Sequence, residues 1–262
     1  MLKLVATDLD GTLLHTDGTV TARTRAALTA VEDLGVTVVF VTGRPIRWME
    51  DLWEHVGGHG LAVCSNGGIV YDVHARAVSK ARTIPADTGL KVAEILREAV
   101  PGTSFAVETA AGFSKEPEFM PRTPPPPDLH VGPMEEIFDG SAVKLLARHE
   151  EMEPEAFWAQ AESHVGHLVT TTWSSTGALV EMSGLGVTKA STLELVCAER
   201  GVAADEVLAF GDMPNDLPML GWAGTSYAMA NAHPAVRELA GSVAPSNEED
   251  GVAAVLERLF GL

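Results

Sequence analysis

Apolar residues recur along the chain in two alternating rhythms. Leu2, Leu4 and Val5 make a short apolar run that Gly11 closes, as a buried strand would. Over 21–34 the spacing turns helical, with Ala22, Ala26, Ala27, Ala30, Val31 and Leu34 on one broad face. "VTVVFVTGR" reads as a continuous apolar strand buried on both sides, and a helix is expected over about 45–55. "LAVCSNGGIVYD" gives two short strands around an Asn-Gly-Gly turn. The rhythm returns late in the chain: a helix over about 188–200, the strand "VLAFGD", and a helix near Leu217. The strand "TSYAMA" and two further helices follow, the last ending at Leu259. Such alternation predicts an α/β fold, a Rossmann-like parallel sheet core with helices on both faces.

The stretch 82–184 has another texture. Two helical segments, about 88–99 and 154–164, separate the strand-like pieces "SFAVETA", "AVKLLARH", "LVTTTWSS" and "ALVEMSG". Several of these alternate apolar and polar residues, as half-exposed antiparallel strands do. "MPRTPPPPD", residues 120–128, is expected to be a stiff loop, either a plain spacer or a proline-motif docking site. The pattern therefore predicts a discontinuous core, 1–81 and 185–262, interrupted by an α+β insertion over 82–184. No internal repeat is visible.

Composition narrows the setting. The 262 residues suffice for one large domain or two modest ones, and 46% hydrophobic with 21% charged residues is ordinary for a soluble globular chain. No apolar run approaches the ~18 residues of a membrane span, and Asp8 stands too early for a signal peptide. Cys64 and Cys197 make neither a disulfide framework nor a zinc spacing and fit a reducing cytoplasm. Thirty-six acidic against eighteen basic residues give a formal charge of −18. That charge opposes binding to nucleic acid or anionic membrane, and a small anionic ligand would need a local cation. A metal-assisted or locally basic cytosolic enzyme fits, and so does a solvated acidic binding module.

The candidate chemistry sits where strands end. Asp8 and Asp10 close the first strand in "ATDLDGTLL"; Thr42, Gly43 and Arg44 close the second in "VTGR". Lys189 opens a helix in "GVTKAS", and "VLAFGD" runs into "GDMPND" with Asp212, Asn215 and Asp216. Each cluster has a bland reading: an Asx-turn, an ordinary turn, a solvated lysine, a helix cap. Residues i and i+2 of a strand point the same way, so Asp8 and Asp10 are expected to crowd unless a cation, or a proton shared with a substrate, occupies the gap. In an open α/β sheet the ligand site lies beyond the carboxyl ends of the strands, where these clusters should converge. Four or more converging carboxylates need a cation, and an oxygen-rich set suits Mg²⁺.

"DLDGT", "VTGR", Lys189 and "GDMPND" resemble, in order, the four motifs of the haloacid dehalogenase-like superfamily. The closer resemblance is to the Cof-type phosphatases, whose cap domain is inserted between the second and third motifs. It extends through nearly all of 1–80 and 185–262, including "SNGG" and "NAHPAVRELAGSVAPSNEEDGVAAVL"; the insertion matches only in position and coarse secondary structure. The resemblance implies a Mg²⁺-dependent phosphatase of small esters, sugar phosphates or phosphorylated cofactors, acting through an aspartyl-phosphate. It implies Asp8 as nucleophile and Asp10 as general acid and base. Asp8, the carbonyl of Asp10 and Asp212 would hold the metal, while Asp216 would complete its shell or orient Lys189. Thr42, the amide of Gly43, Lys189 and Asn215 would bind phosphoryl oxygens, Arg44 and Asn66 would touch the substrate, and Thr12 would shape the loop. Dehalogenases of the superfamily lack the second aspartate, which this chain has, and its ion pumps need membrane helices, which this chain lacks. A sugar phosphomutase and a phospho-aspartate signalling receiver are the competing readings. The expected setting is cytoplasmic, as monomer or homodimer, with no nucleic-acid or membrane partner.

Overall fold

The computed structural model describes residues 1–55, 60–173 and 177–262. The chain opens with β1 (Leu4–Thr7), whose four residues are all buried, and helix α1 (Ala22–Asp33). The side chain of Thr21 caps α1 by accepting from the amide of Thr24. β2 (Thr37–Val41), β3 (Leu61–Cys64), β4 (Ile69–Asp72) and β5 (Ala77–Ala81) follow. The next stretch holds α2 (Ala86–Ala99), β6 (Ser104–Thr109), β7 (Phe113–Lys115), β8 (His130–Val131) and α3 (Met134–Ile137). It continues through β9 (Ala142–Arg148), α4 (Pro154–Val165), β10 (Val169–Thr172) and β11 (Leu179–Gly184). Last come α5 (Lys189–Glu199), β12 (Val207–Gly211), α6 (Leu217–Trp222), β13 (Thr225–Met229), α7 (Pro234–Leu239), β14 (Ser242–Ala244) and α8 (Gly251–Phe260).

Two compact units result, Met1–Ser79 with Lys189–Leu262, and Lys80–Thr188. In the first, the sheet order is β14-β13-β12-β1-β2-β3-β4-β5. Pairing is parallel from β14 to β3 and turns antiparallel only at β4. Central strands this apolar require cover on both faces, which the flanking helices supply. Register matters most for the site. Thr7 of β1 lies level with Phe210 of β12 and with Phe40 of β2, so all three strands release the chain at one edge. Leu4, Val5, Ala6, Phe40 and Phe210 are essentially inaccessible and anchor that edge. Each large side chain so buried contributes about 1.5–3 kcal/mol.

The second unit is built on a six-stranded sheet, β10-β11-β9-β6-β7-β8, antiparallel except between β7 and β8. Phe105, Val107, Leu145, Ala147, Val180 and Met182 share one core with α2 and α4. A smaller cluster joins Ala106, Phe113 and Leu146 to Phe119. Residues 120–128 carry no helix or strand. Among the described residues no helix is long and apolar enough to cross a membrane.

Three local expectations change. In place of a helix over 45–55 there are two 3-10 segments, Ile46–Trp48 and Glu50–His55. Pro45 starts the first, and the buried anchors Met49 and Leu52 recur every three residues, a spacing that suits three residues per turn. The hairpin turn between β3 and β4 begins earlier than Asn-Gly-Gly: Ser65 and Asn66 both have positive φ, 52° and 55°. β5, β7, β8, β14 and the single turn α3 carry no periodic apolar signal, being short; β5 and β8 are also largely exposed. Of the expected strand "LVTTTWSS", residues 174 and 175 lie outside the described residues.

Candidate active site

β1 ends at Thr7, and the Asp8 amide still bonds to the Phe210 carbonyl at 3.1 Å. A tight loop follows, in which the Leu9 carbonyl accepts from the amides of Thr12, Leu13 and Leu14. Gly11, with φ of +72°, makes the turn possible. The loop sends the two aspartates apart, which corrects the expected crowding. Asp8 turns inward and is 5% exposed, whereas the Asp10 side chain is 59% exposed and meets Arg44. Arg44 binds it in bidentate fashion, Nε to Oδ2 at 2.7 Å and Nη2 to Oδ1 at 2.5 Å. Arg44, expected beside substrate, is thus engaged by a protein carboxylate.

Lys189 is the first residue of α5 and only 1% exposed. A cation there opposes the helix dipole, and two carboxylates offset it. Its Nζ lies 2.8 Å from Asp8 Oδ1 and 2.7 Å from Asp216 Oδ1. Burial works against its charge, but Asp216 and Asp8 prevail and hold its pKa above the ordinary lysine range. Asp216 is fully buried, and its second oxygen accepts from the amides of Asp212 at 3.0 Å and Met213 at 3.1 Å. It therefore closes its own loop and makes no side-chain cap on α6.

Asp212 Oδ1 accepts from the Thr12 hydroxyl at 3.1 Å, so Thr12 ties the first loop to the fourth. Two glycines make these approaches possible. A Cβ on Gly11 would stand 2.3 Å from Asp212 Oδ2, and one on Gly211 would stand 2.6 Å from the Asp216 Cβ. Asn231 completes the frame, donating from Nδ2 to the Gly11 carbonyl at 2.8 Å. Neither Asn231 nor the exact partners of Thr12 could be read from strand-end patterns, although Asn231 lies in the closing segment that carries the resemblance.

Asp8, Asp212 and Asp216 bring one carboxylate oxygen each within 4.8 Å of one another. Burial, followed by the charges of Asp216 and Asp212 and opposed by Lys189, raises the pKa of Asp8 well above the carboxylate range. Burial and then Asp216 push Asp212 up to about 7, against the pull of Lys189 and Thr12. Three carboxyl groups face a single ammonium, so ionising all of them would leave an excess of negative charge in a buried place. A small divalent cation bound by hard oxygens fits that donor set. Both oxygens of Asp216 already have hydrogen-bond donors, so Asp8 and Asp212 are the better ligands. The Asp10 carboxylate lies outside the cluster, so only its backbone carbonyl remains as the expected ligand.

The second and third loops are knitted together beside this cluster. The Thr42 hydroxyl accepts from the Arg44 amide at 3.0 Å, the Asn66 amide donates to the Thr42 carbonyl at 3.1 Å, and the Ser65 amide to that of Arg44 at 3.0 Å. Asn215 Nδ2 donates to Asn66 Oδ1 at 3.1 Å. A Cβ on Gly43 would approach the same oxygen at 3.0 Å. Asn66 is 1% exposed and braces Asn215, a more interior place than substrate contact implies. Among the described residues, Asn215 Oδ1 and the Ser65 hydroxyl are buried with no hydrogen-bond partner. Ser65 was not anticipated; only its place before Asn-Gly-Gly hinted at it.

The chain is similar to known proteins along almost its whole length. Residues 5–256 match the sequence profile of the haloacid dehalogenase-like hydrolases. The 5-amino-6-(5-phospho-D-ribitylamino)uracil phosphatase YitU of Bacillus subtilis is 28% identical, the alignment covering 99% of this chain and 98% of that protein. The HMP-PP phosphatase of Serratia proteamaculans is 30% identical, over 91% of this chain and 88% of its own. A solved structure of a Bacteroides thetaiotaomicron phosphatase of the haloalkanoate (HAD) enzyme superfamily superposes with a TM-score of 0.84 at 26% identity, covering 100% of this chain and 96% of that one. The chain belongs to the haloacid dehalogenase-like hydrolase family.

Proposed function

We propose that the protein is a Mg²⁺-dependent phosphatase of small phosphate monoesters that works through an aspartyl-phosphate on Asp8. One observation carries this reading: a buried aspartate at a strand end is held by Lys189 inside a cluster of three carboxylates with one cation too few. Asp8 and Asp212, with the carbonyl of Asp10, would hold Mg²⁺, whose charge would keep Asp8 ionised and offset the phosphate charge.

The steps fall to the chain's own residues. A carboxylate oxygen of Asp8 attacks phosphorus, and the bond from phosphorus to the ester oxygen breaks. Asp10 gives its proton to the departing alkoxide. Asp10 then takes a proton from the water that attacks the aspartyl-phosphate, and inorganic phosphate leaves as Asp8 is restored. Thr42, the Gly43 amide, Lys189 and Asn215 stabilise the phosphoryl oxygens, with Lys189 fixed by Asp216. Since Arg44 engages both oxygens of Asp10, it must release one when Asp10 transfers a proton.

The core contacts serve any phosphate ester, so choice among substrates must come from elsewhere. We assign it to residues 82–184 as a cap inserted in a discontinuous core of 1–81 and 185–262. Relatives named for a ribitylaminouracil phosphate and for HMP-PP support small phosphorylated metabolites as the substrate class. The test is hydrolysis of a panel of phosphate esters with Mg²⁺ and with chelator, together with mass spectrometry of acid-quenched protein. Metal-dependent phosphate release with a phosphoryl group on Asp8 is expected. Turnover without metal, or a phosphoryl group on another residue, overturns the reading.

A further inference from the structure

The cationic side chains on the second unit's sheet differ in one respect. Lys144 of β9 pairs with Glu181 of β11 at 2.5 Å, and Arg97 of α2 pairs with Glu116. Arg148, the last residue of β9, is 5% exposed and makes no ion pair among the described residues. Its Nε and Nη1 are buried and have no hydrogen-bond partner among the described residues. The guanidinium stacks over Phe119 with 5.3 Å from Cζ to the ring centroid. Stacking accounts for the flat face of the group but leaves its in-plane N–H donors unmet. An uncompensated buried charge costs far more than a cation–π contact returns.

A second guanidinium stands at the same end of the sheet. Arg122 is exposed on the proline-rich loop, and its Nη1 reaches to 2.7 Å from where a Cβ of Gly177 would be. Gly177 lies two residues before Leu179, the cross-strand partner of Arg148. Arg122 also makes no ion pair among the described residues. Burial and then the charge of Arg122 lower the pKa of Arg148; Glu150 opposes them from beyond ion-pair distance. Although the chain carries a net charge of −18, these two neighbouring arginines have no carboxylate within ion-pair distance among the described residues.

We infer that Arg148 and Arg122 form a binding site for an oxyanion group, a carboxylate or phosphate, built wholly from the second unit. Nε and Nη1 of Arg148 lie in different edges of its planar guanidinium, so each can donate to an oxyanion oxygen from its own edge, and Arg122 supplies a second positive charge from the rim. The site can serve an anionic group carried by the substrate or a free anion, since both present the same oxygens.

The test uses the full-length ¹⁵N-labelled protein, without turnover, so it stands or falls apart from the phosphatase reading. The Arg148 Nε–H resonance, assigned through its proximity to the Phe119 ring protons, is followed while inorganic phosphate or succinate is added. Sodium chloride at matched ionic strength is the control. A saturable shift is expected, with affinity at least tenfold weaker in Arg122→Ala, whose exposed side chain leaves the fold intact. A shift that never saturates, one that chloride reproduces, or an affinity unchanged in Arg122→Ala overturns the inference. Turnover separates the two sources of the anion. If Arg122→Ala lowers kcat/KM for 3-phosphoglycerate relative to glycerol 3-phosphate several-fold, the group belongs to the substrate. If binding is lost while that ratio holds, the site takes a free anion.

Discussion

Arg44 holds both carboxylate oxygens of Asp10, at 2.7 Å from Nε and 2.5 Å from Nη2, while Asp8 two residues earlier is held by Lys189. One arginine and one lysine thus separate two chemically identical side chains into an outer and an inner role. If Asp10 moves the leaving-group proton, Arg44 sets its position. Arg44→Ala should lower kcat about tenfold or more for an alkyl phosphate, whose alkoxide needs the proton. With p-nitrophenyl phosphate, whose leaving group needs little help, the fall should be several times smaller. Equal losses on both esters would show that Arg44 does not act through Asp10.

Asp8→Asn keeps the volume and removes the charge. Burial already disfavours that charge, and Lys189 keeps Asp216 as a partner, so the fold should survive. Turnover should drop by several orders of magnitude, as loss of a nucleophile does. A variant with a tenth of the original rate would remove Asp8 from that role.

Lys189 is the only cation bonded to the buried carboxylates of Asp8 and Asp216 among the described residues. Lys189→Met leaves both unpaired, which costs about 3–5 kcal/mol in other buried pairs. Urea denaturation should register a loss of that order, alongside loss of activity. A change below ~1 kcal/mol would mean that the carboxylates simply take up protons.

Asp212 gives a pH-dependent signature. Its pKa, about 7 in the folded chain, lies above the ~3.9 of an unfolded aspartate. A carboxyl raised on folding contributes stability that is fully present below the unfolded value and is lost as pH climbs through the folded one. Metal-free protein should therefore lose stability from about pH 4 to just above pH 7. Mg²⁺ bound by Asp212 as proposed would offset the repulsion that appears there, so it should raise Tm more at pH 8 than at pH 5. Thermal melts with Mg²⁺ and with chelator measure this; an equal shift at both pH values contradicts it.

Gly11→Ala tests the close approach of the first loop to the fourth. The new Cβ would stand 2.3 Å from Asp212 Oδ2 on a backbone of positive φ. Asp212 must move, so the Mg²⁺ concentration for half-maximal activity should rise at least tenfold. Unchanged metal dependence would place Asp212 outside the metal site.

The meeting of Asp8, Asp212, Asp216 and Lys189 was legible because parallel strands of matched register end at one edge, and apolar runs mark strand ends well. The Arg44–Asp10 pair was not, since it depends on how the Leu9–Leu14 loop turns the two aspartates apart. Strand periodicity assumes that the strand continues, and here it stops at Thr7. The role of Asp216 was hidden for a similar reason: its bonds go to the amides of Asp212 and Met213, and a helix cap would look the same in sequence. The edge strands β5 and β8 were missed because exposed residues carry no apolar rhythm.

The position of β1 between β2 and β12 has a consequence for how the protein is made. β1 spans Leu4–Thr7 and its partner β12 spans Val207–Gly211, so one edge of β1 stays open until some two hundred more residues have been added. At ~5–20 residues per second, that interval lasts roughly ten to forty seconds. Through that time β1 and β2 expose an apolar edge ready to pair with a wrong partner. Lys189 and Asp212, which hold the inner aspartate and the first loop, emerge in the same late stretch. The nascent chain therefore passes through a long aggregation-sensitive stage, and its acidic pocket closes only when the strand that ends that hazard arrives.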